Sequence, residues 1–133
     1  MEELIDAIVI DLKSIDIYQL KGIKDEKKFE KYVVKRLKKL NSKLDITIQE
    51  RSYGEGRQIR PDITIGPNNI LIELKYNLKN LPDIYRLYYQ AIKYSKIANY
   101  KLILCIHDPP EKLIQTDIED LEKIDKVKIV HIY

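Results

Sequence analysis

Apolar residues near the start of the chain recur at helical spacing. Ile5, Ile8, Val9 and Leu12 share one face of residues 2–12 and predict a short amphipathic helix. Residues 14–24 follow no clear period and contain Gly22, which reads as a break. Asp25 then stands where a helix N-cap belongs. Behind it Phe29, Val33, Leu37 and Leu40 form an apolar stripe, with lysines over the remaining surface. From Leu44 the period changes to two: Leu44, Ile46 and Ile48 alternate with Asp45, Thr47 and Gln49, predicting a half-buried strand that ends by Arg51. Residues 52–60, with Gly54 and Gly56, read as a loop. Two further strands are predicted over 61–65 and 70–75, joined through Gly66-Pro67-Asn68-Asn69.

Pro82 suits the first turn of a helix running to about Asn99. Residues 101–106 are continuously apolar, as in a strand buried on both faces of a parallel sheet. Pro109-Pro110 punctuates, residues 111–124 read as helix, and residues 127–133 read as a last strand. The order is helix, three-strand meander, helix, strand, helix, strand. That order predicts a mixed α/β sandwich around one sheet.

Composition narrows the class. A chain of 133 residues, 44% hydrophobic and 34% charged, folds as one globular domain with room for a substantial core. No apolar stretch approaches the ~20 residues a spanning helix needs. The acidic start (Glu2, Glu3, Asp6) does not read as a signal peptide, so a soluble cytoplasmic protein without membrane contact is expected. Cys105, the single cysteine, lies in an apolar run and reads as a buried, inert thiol. The net charge of +3 says little about partners, but its distribution says more. Arg51, Arg57 and Arg60 cluster before the second strand, and Lys31, Lys35, Arg36, Lys38 and Lys39 populate the helix before the first. Such a strip can neutralise phosphates, or it is simply a solvated helix face.

The chemistry concentrates in two short segments. Pro61-Asp62 opens one strand and Glu73-Leu74-Lys75 closes the next. Side chains alternate faces along a strand, so Glu73 and Lys75 point the same way and Leu74 the other. Asp62 joins their face only if the connection holds an even number of residues. A loop of Pro67-Asn68, or of Gly66 to Asn69, pairs Asp62 with Glu73, a loop of Asn68-Asn69 pairs it with Lys75, and a three-residue loop sets it opposite Leu74. Two carboxylates on one face, with the Leu74 carbonyl as a further ligand, suit Mg²⁺, which keeps several waters and takes other ligands from substrate phosphate. Lys75 is placed to orient an attacking water or to neutralise developing charge.

With Phe29-Glu30 in the preceding helix, this pattern resembles the PD-(D/E)XK nuclease superfamily, the restriction-endonuclease-like fold. Phe29-Glu30-Lys31-Tyr32-Val33-Val34 is similar to the opening helix of Mrr-like and Holliday-junction-resolvase-like members. Gln90 and Tyr94 reproduce the Gln-x-x-x-Tyr of RecB-like nucleases, and Arg86 lies one turn before Gln90.

The resemblance implies a mixed sheet with an αβββαβ core over residues 25–106. An N-terminal helical extension (1–24) and a C-terminal helix and strand (107–133) would be added to that core. It implies metal ligands at Asp62, Glu73 and the Leu74 carbonyl, a nucleophile-assisting Lys75, and a helix carboxylate at Glu30, with Glu26 one turn earlier as its competitor. Gln90 would hold a metal water or a phosphate, and Tyr94 would brace it. Arg51, Arg57 and Arg60, with Tyr94, would contact DNA.

The function expected is a Mg²⁺-dependent DNA endonuclease, with Mn²⁺ able to substitute, acting as a homodimer in repair, recombination or restriction. The alternative is a catalytically silent nucleic-acid-binding or assembly module on the same fold. A metal-free RNA-processing endonuclease calls for a general-base histidine, and neither His107 nor His131 has the context for one.

Overall fold

A computed structural model describes residues 1–48, 61–78, 81–107 and 115–133. Four α-helices surround a mixed five-stranded sheet: α1 (Glu2–Lys13), α2 (Glu26–Leu40), β1 (Ile46–Ile48), β2 (Ile63–Ile65), β3 (Ile70–Tyr76), α3 (Leu81–Ile97), β4 (Lys101–His107), α4 (Gln115–Glu122) and β5 (Val127–Ile132). A single 3₁₀ turn, Ile17–Leu20, occupies the stretch where the sequence has no period. The strands lie in the order β1-β2-β3-β4-β5. β1 to β3 form an antiparallel meander, and β3, β4 and β5 run parallel.

Local chemistry explains these boundaries. The Asp25 carboxylate accepts the Lys28 backbone N–H at 2.8 Å, satisfying one of the orphan donors at the start of α2. Phe29, Val33 and Leu37 are fully buried as the stripe predicts. Val34 completes that face, while Leu40, the last residue of α2, is largely exposed. β1 is described over Ile46–Ile48, with Ile48 exposed, and the rest of the expected strand up to Arg51 lies outside the described residues. The central position of β4 matches its unbroken apolar run: every residue from Leu102 to Ile106 is buried.

Two cores form, one on each face of the sheet. α1 and α2 cover Ile63, Ile65, Ile70, Ile72, Leu74, Ile103 and Cys105. α3 and α4 cover Leu71, Leu102, Leu104, Ile106 and Ile129. Ile8 and Leu12 of α1 are fully buried in the first core, and α1 packs against α2, β4 and β5, so the N-terminal helix is an integral part of that layer.

A polar network ties α1 to α2. Arg36 donates from Nε to Asp11 Oδ2 at 3.1 Å and from Nη2 to Asp11 Oδ1 at 3.1 Å, with Tyr32, Gln19 and Ser14 completing it. Arg36 is therefore committed to a structural ion pair, and Asp11 holds its guanidinium above its ordinary pKa.

The connection between β2 and β3 sets the geometry of everything that follows. It holds four residues, Gly66 to Asn69, and pairs Ile65 with Ile70 and Ile63 with Ile72. Gly66 adopts φ +64°, a left-handed backbone that glycine takes without strain, and a Cβ there would displace the Asn69 side-chain nitrogen, 2.8 Å away. Asn68 takes the same left-handed region, which asparagine tolerates. Asn99, after α3, pins the turn from outside, donating from its side chain to the Pro67 carbonyl at 2.8 Å and from its backbone to the Asn68 carbonyl at 2.8 Å.

Candidate functional site

One step beyond the Ile63–Ile72 pair, the antiparallel register sets Asp62 opposite Glu73. The even-length loop thus meets the geometric condition stated above. Ile63 and Ile65 face α1 and α2, so Asp62 faces the α3 side; by the same alternation Glu73 and Lys75 do too. Asp62 is held from behind: its Oδ2 accepts the Leu74 backbone N–H at 2.8 Å.

Glu73 is 4% exposed in the middle of the sheet, an expensive place for a carboxylate. Burial pushes its pKa up to about 10, and the hydrogen bond and charge of Asp62 push the same way. Lys75 opposes them, and Glu26 adds to the rise. At neutral pH the pair therefore carries a proton on Glu73.

α3 closes the site from above. Tyr94 is 2% exposed and lies near enough to Glu73 and Asp62 to feel their charges. Burial first, and then the charges of Glu73 and Asp62, raise its pKa, so it stays a neutral donor. Gln90, one turn earlier, is half-buried. Two buried acceptor atoms here have no hydrogen-bond partner, Glu73 Oε2 and Gln90 Oε1. Buried side-chain polar atoms are nearly always satisfied, and among the described residues these two are the exceptions.

The residues expected to act together thus divide. Asp62, Glu73, Lys75, Gln90 and Tyr94 share the α3 face. Leu74 contributes its backbone N–H and buries its side chain on the opposite face. Tyr94, expected to brace Gln90 and to contact DNA, lies buried in the core and not on an outer surface. Of the two helix carboxylates, Glu26 acts electrostatically on Glu73 and lines a cleft with Lys75. Glu30 lies instead in a groove with Lys31, Lys35, Lys38 and Ile48. Arg51, Arg57 and Arg60 lie outside the described residues.

His107 ends β4 with its ring against Phe29 and Tyr76 and its Nδ1 3.2 Å from the Ile132 carbonyl, on the face away from Glu73. Cys105 is fully buried, and burial pushes its thiol up to about 12, which makes it inert at neutral pH.

Among the described residues no group of three or more His, Cys, Asp or Glu side chains is arranged to hold a metal ion. The donor set here is two carboxylates. That is the number Mg²⁺ commonly takes from protein, the remainder being water and substrate oxygens. A cation would supply the positive charge that Glu73 Oε2 lacks, and its waters would supply donors for Gln90 Oε1, so the residues fit such an ion. Among the described residues no helix is long and apolar enough to cross a membrane. Comparison with protein-family models, with curated proteins and with solved structures finds no match to this chain.

Proposed function

We propose that this protein is a Mg²⁺-dependent DNA endonuclease of the PD-(D/E)XK type, with Asp62, Glu73 and Lys75 at its centre. The observation that carries this reading is the pair of partnerless buried oxygens, Glu73 Oε2 and Gln90 Oε1, beside a second carboxylate. A purely structural site would satisfy them or dispense with them. The succession α2, β1, β2, β3, α3, β4 supports the restriction-endonuclease-like arrangement, since it follows the αβββαβ order of that core.

In this reading Asp62 and Glu73 hold the divalent ion. When bound, that ion polarises the scissile phosphoryl group and lowers the pKa of a bound water. The chain's own residues do the rest. The Leu74 N–H fixes one Asp62 oxygen, leaving the other to ligate. Tyr94, buried beside the carboxylates, stays neutral and keeps its hydroxyl proton there. Lys75 lowers the Glu73 pKa and so favours the carboxylate form that a ligand to the ion would need, its proton passing to solvent. Lys75 then neutralises charge developing on the phosphoryl oxygens, and Gln90 Oε1 accepts from the attacking water.

The test is a cleavage panel of linear duplex, single strand, four-way junction and flap. Wild-type protein should cut at least one member in Mg²⁺ or Mn²⁺ and none in EDTA. Cleavage that persists in EDTA, or no cleavage of any member, contradicts the assignment.

A homodimer belongs to the same reading, because one site cuts one strand and paired cuts need two. Leu81, Tyr85, Tyr89 and Ile92 lie on one side of α3 and are all exposed, an apolar surface of the kind self-associating chains cover. Sedimentation velocity should give a dimer, and Tyr89→Lys should return a monomer. A monomeric wild type at micromolar concentration rules this interface out.

A further inference from the structure

Beside Lys75 lies a cleft of about 440 Å³ that the catalytic residues do not fill. Its walls are the turn before α2, the end of β3 and the first turns of α3, and they carry Lys24, Lys75, Arg86, Asn77, Glu26 and Asp83. That volume is within the range of ligand clefts, roughly 300–1,000 Å³. Its chemistry favours an anion. Three cations face two carboxylates, and the carboxylates sit in the first turns of α2 and α3, where they are ordinary partners of the helix dipoles. Lys24 and Arg86 make no ion pair among the described residues, in contrast to Arg36.

We propose that this cleft is a phosphate subsite in which Lys24 and Arg86 hold the substrate phosphate next to the one hydrolysed. The proposal rests on the nuclease reading for what the neighbouring phosphate belongs to, but its chemistry is that of phosphate binding alone. Arg86 can grip a phosphate with two parallel N–H bonds, whereas Lys24 acts as a point charge. Lys75 stands between this subsite and the Asp62–Glu73 pair, belonging to both. Bound here, a phosphate fixes the register of the strand relative to the carboxylates, making Lys24 and Arg86 positioning residues.

The experiment is fluorescence anisotropy with a labelled duplex and a labelled single strand in EDTA, so that binding is read without cleavage. The readout is the slope of log K against log salt between about 50 and 200 mM. Lys24→Ala and Arg86→Ala should each weaken binding by about tenfold and reduce the slope by about 1, and the double variant by about 2. Lys13→Ala, at the far end of α1, should leave the slope unchanged. Lys24 is exposed in a turn, so its variant keeps the test valid even if Arg86→Ala unfolds. Unchanged slopes in both variants overturn the proposal, as does the absence of salt-dependent binding by wild type. A wild type that binds with the expected slope yet cuts nothing disposes of the nuclease reading and leaves the subsite standing.

Discussion

Glu73→Gln should stabilise the metal-free protein and abolish its cleavage. Stability follows from the site's electrostatics. Keeping a buried carboxyl protonated beside Asp62 at neutral pH costs free energy that an amide, which takes up no proton, does not, on the order of 1–3 kcal/mol. For a chain of this size that amounts to a rise in Tm of roughly 3–10 °C.

The pH dependence has a defined sign. Glu73 has a folded pKa raised from 4.5 to about 10. Below pH 4.5 both folded and unfolded states hold the proton, and the group imposes no pH-dependent cost. Above 4.5 the unfolded chain releases it while the folded chain keeps it, so stability falls as pH rises towards 10. The advantage of Glu73→Gln over wild type should therefore be smallest near pH 4.5 and grow through pH 9, as measured by denaturant melts in EDTA. An advantage that shrinks with rising pH contradicts the assigned protonation of Glu73. Active sites commonly carry this kind of local instability, exchanged for function.

Asp62→Ala should lower metal-dependent cleavage by about a thousandfold or more, since it removes a ligand that only the loaded site uses. Alanine also strips the Leu74 N–H of its acceptor, which adds a structural component to the loss. Asp62→Asn separates the two effects. It keeps an acceptor oxygen for Leu74 but removes the charge that burdens Glu73, so its Tm should equal or exceed wild type while its activity stays lost. Lys75→Ala should lose cleavage to a similar degree yet still bind the ion, because Lys75 is no ligand. Full Mg²⁺-dependent cleavage by Asp62→Asn or Lys75→Ala contradicts the roles given to them.

Much of this was legible in the sequence because it depends on short-range rules. Side-chain alternation and the parity of a four-residue loop are enough to bring Asp62 opposite Glu73, and the glycine and asparagine that loop needs are visible as such. Asp25 as a cap and the apolar run of β4 are equally local. What escaped depends on how elements pack. Helical period identifies the buried face of α2 but not which of its turns lies nearer Glu73, so the preference for Glu30 over Glu26, one turn apart, rests on the resemblance, whereas Glu26 is the one whose charge acts on Glu73. The polar spacing of Arg86, Gln90 and Tyr94 suggests one stripe, yet Tyr94 is in the core and Arg86 in the cleft. Arg36 looks like one more phosphate-binding cation until α1 folds back and supplies Asp11. α1 itself reads as an extension, because nothing local indicates that Ile8 and Leu12 complete the layer over β4 and β5.

The central claim is that Asp62 and Glu73 together hold one divalent ion. Calorimetric titration of the metal-free protein with Mn²⁺ at pH 7, repeated in buffers of different ionisation enthalpy, tests it most directly. Wild type should bind one ion and release about one proton, the one Glu73 carries when the site is empty. Asp62→Asn should bind far more weakly, and Glu73→Gln should bind weakly without releasing the proton. Binding that is absent in wild type, or equally tight in both variants, contradicts the account.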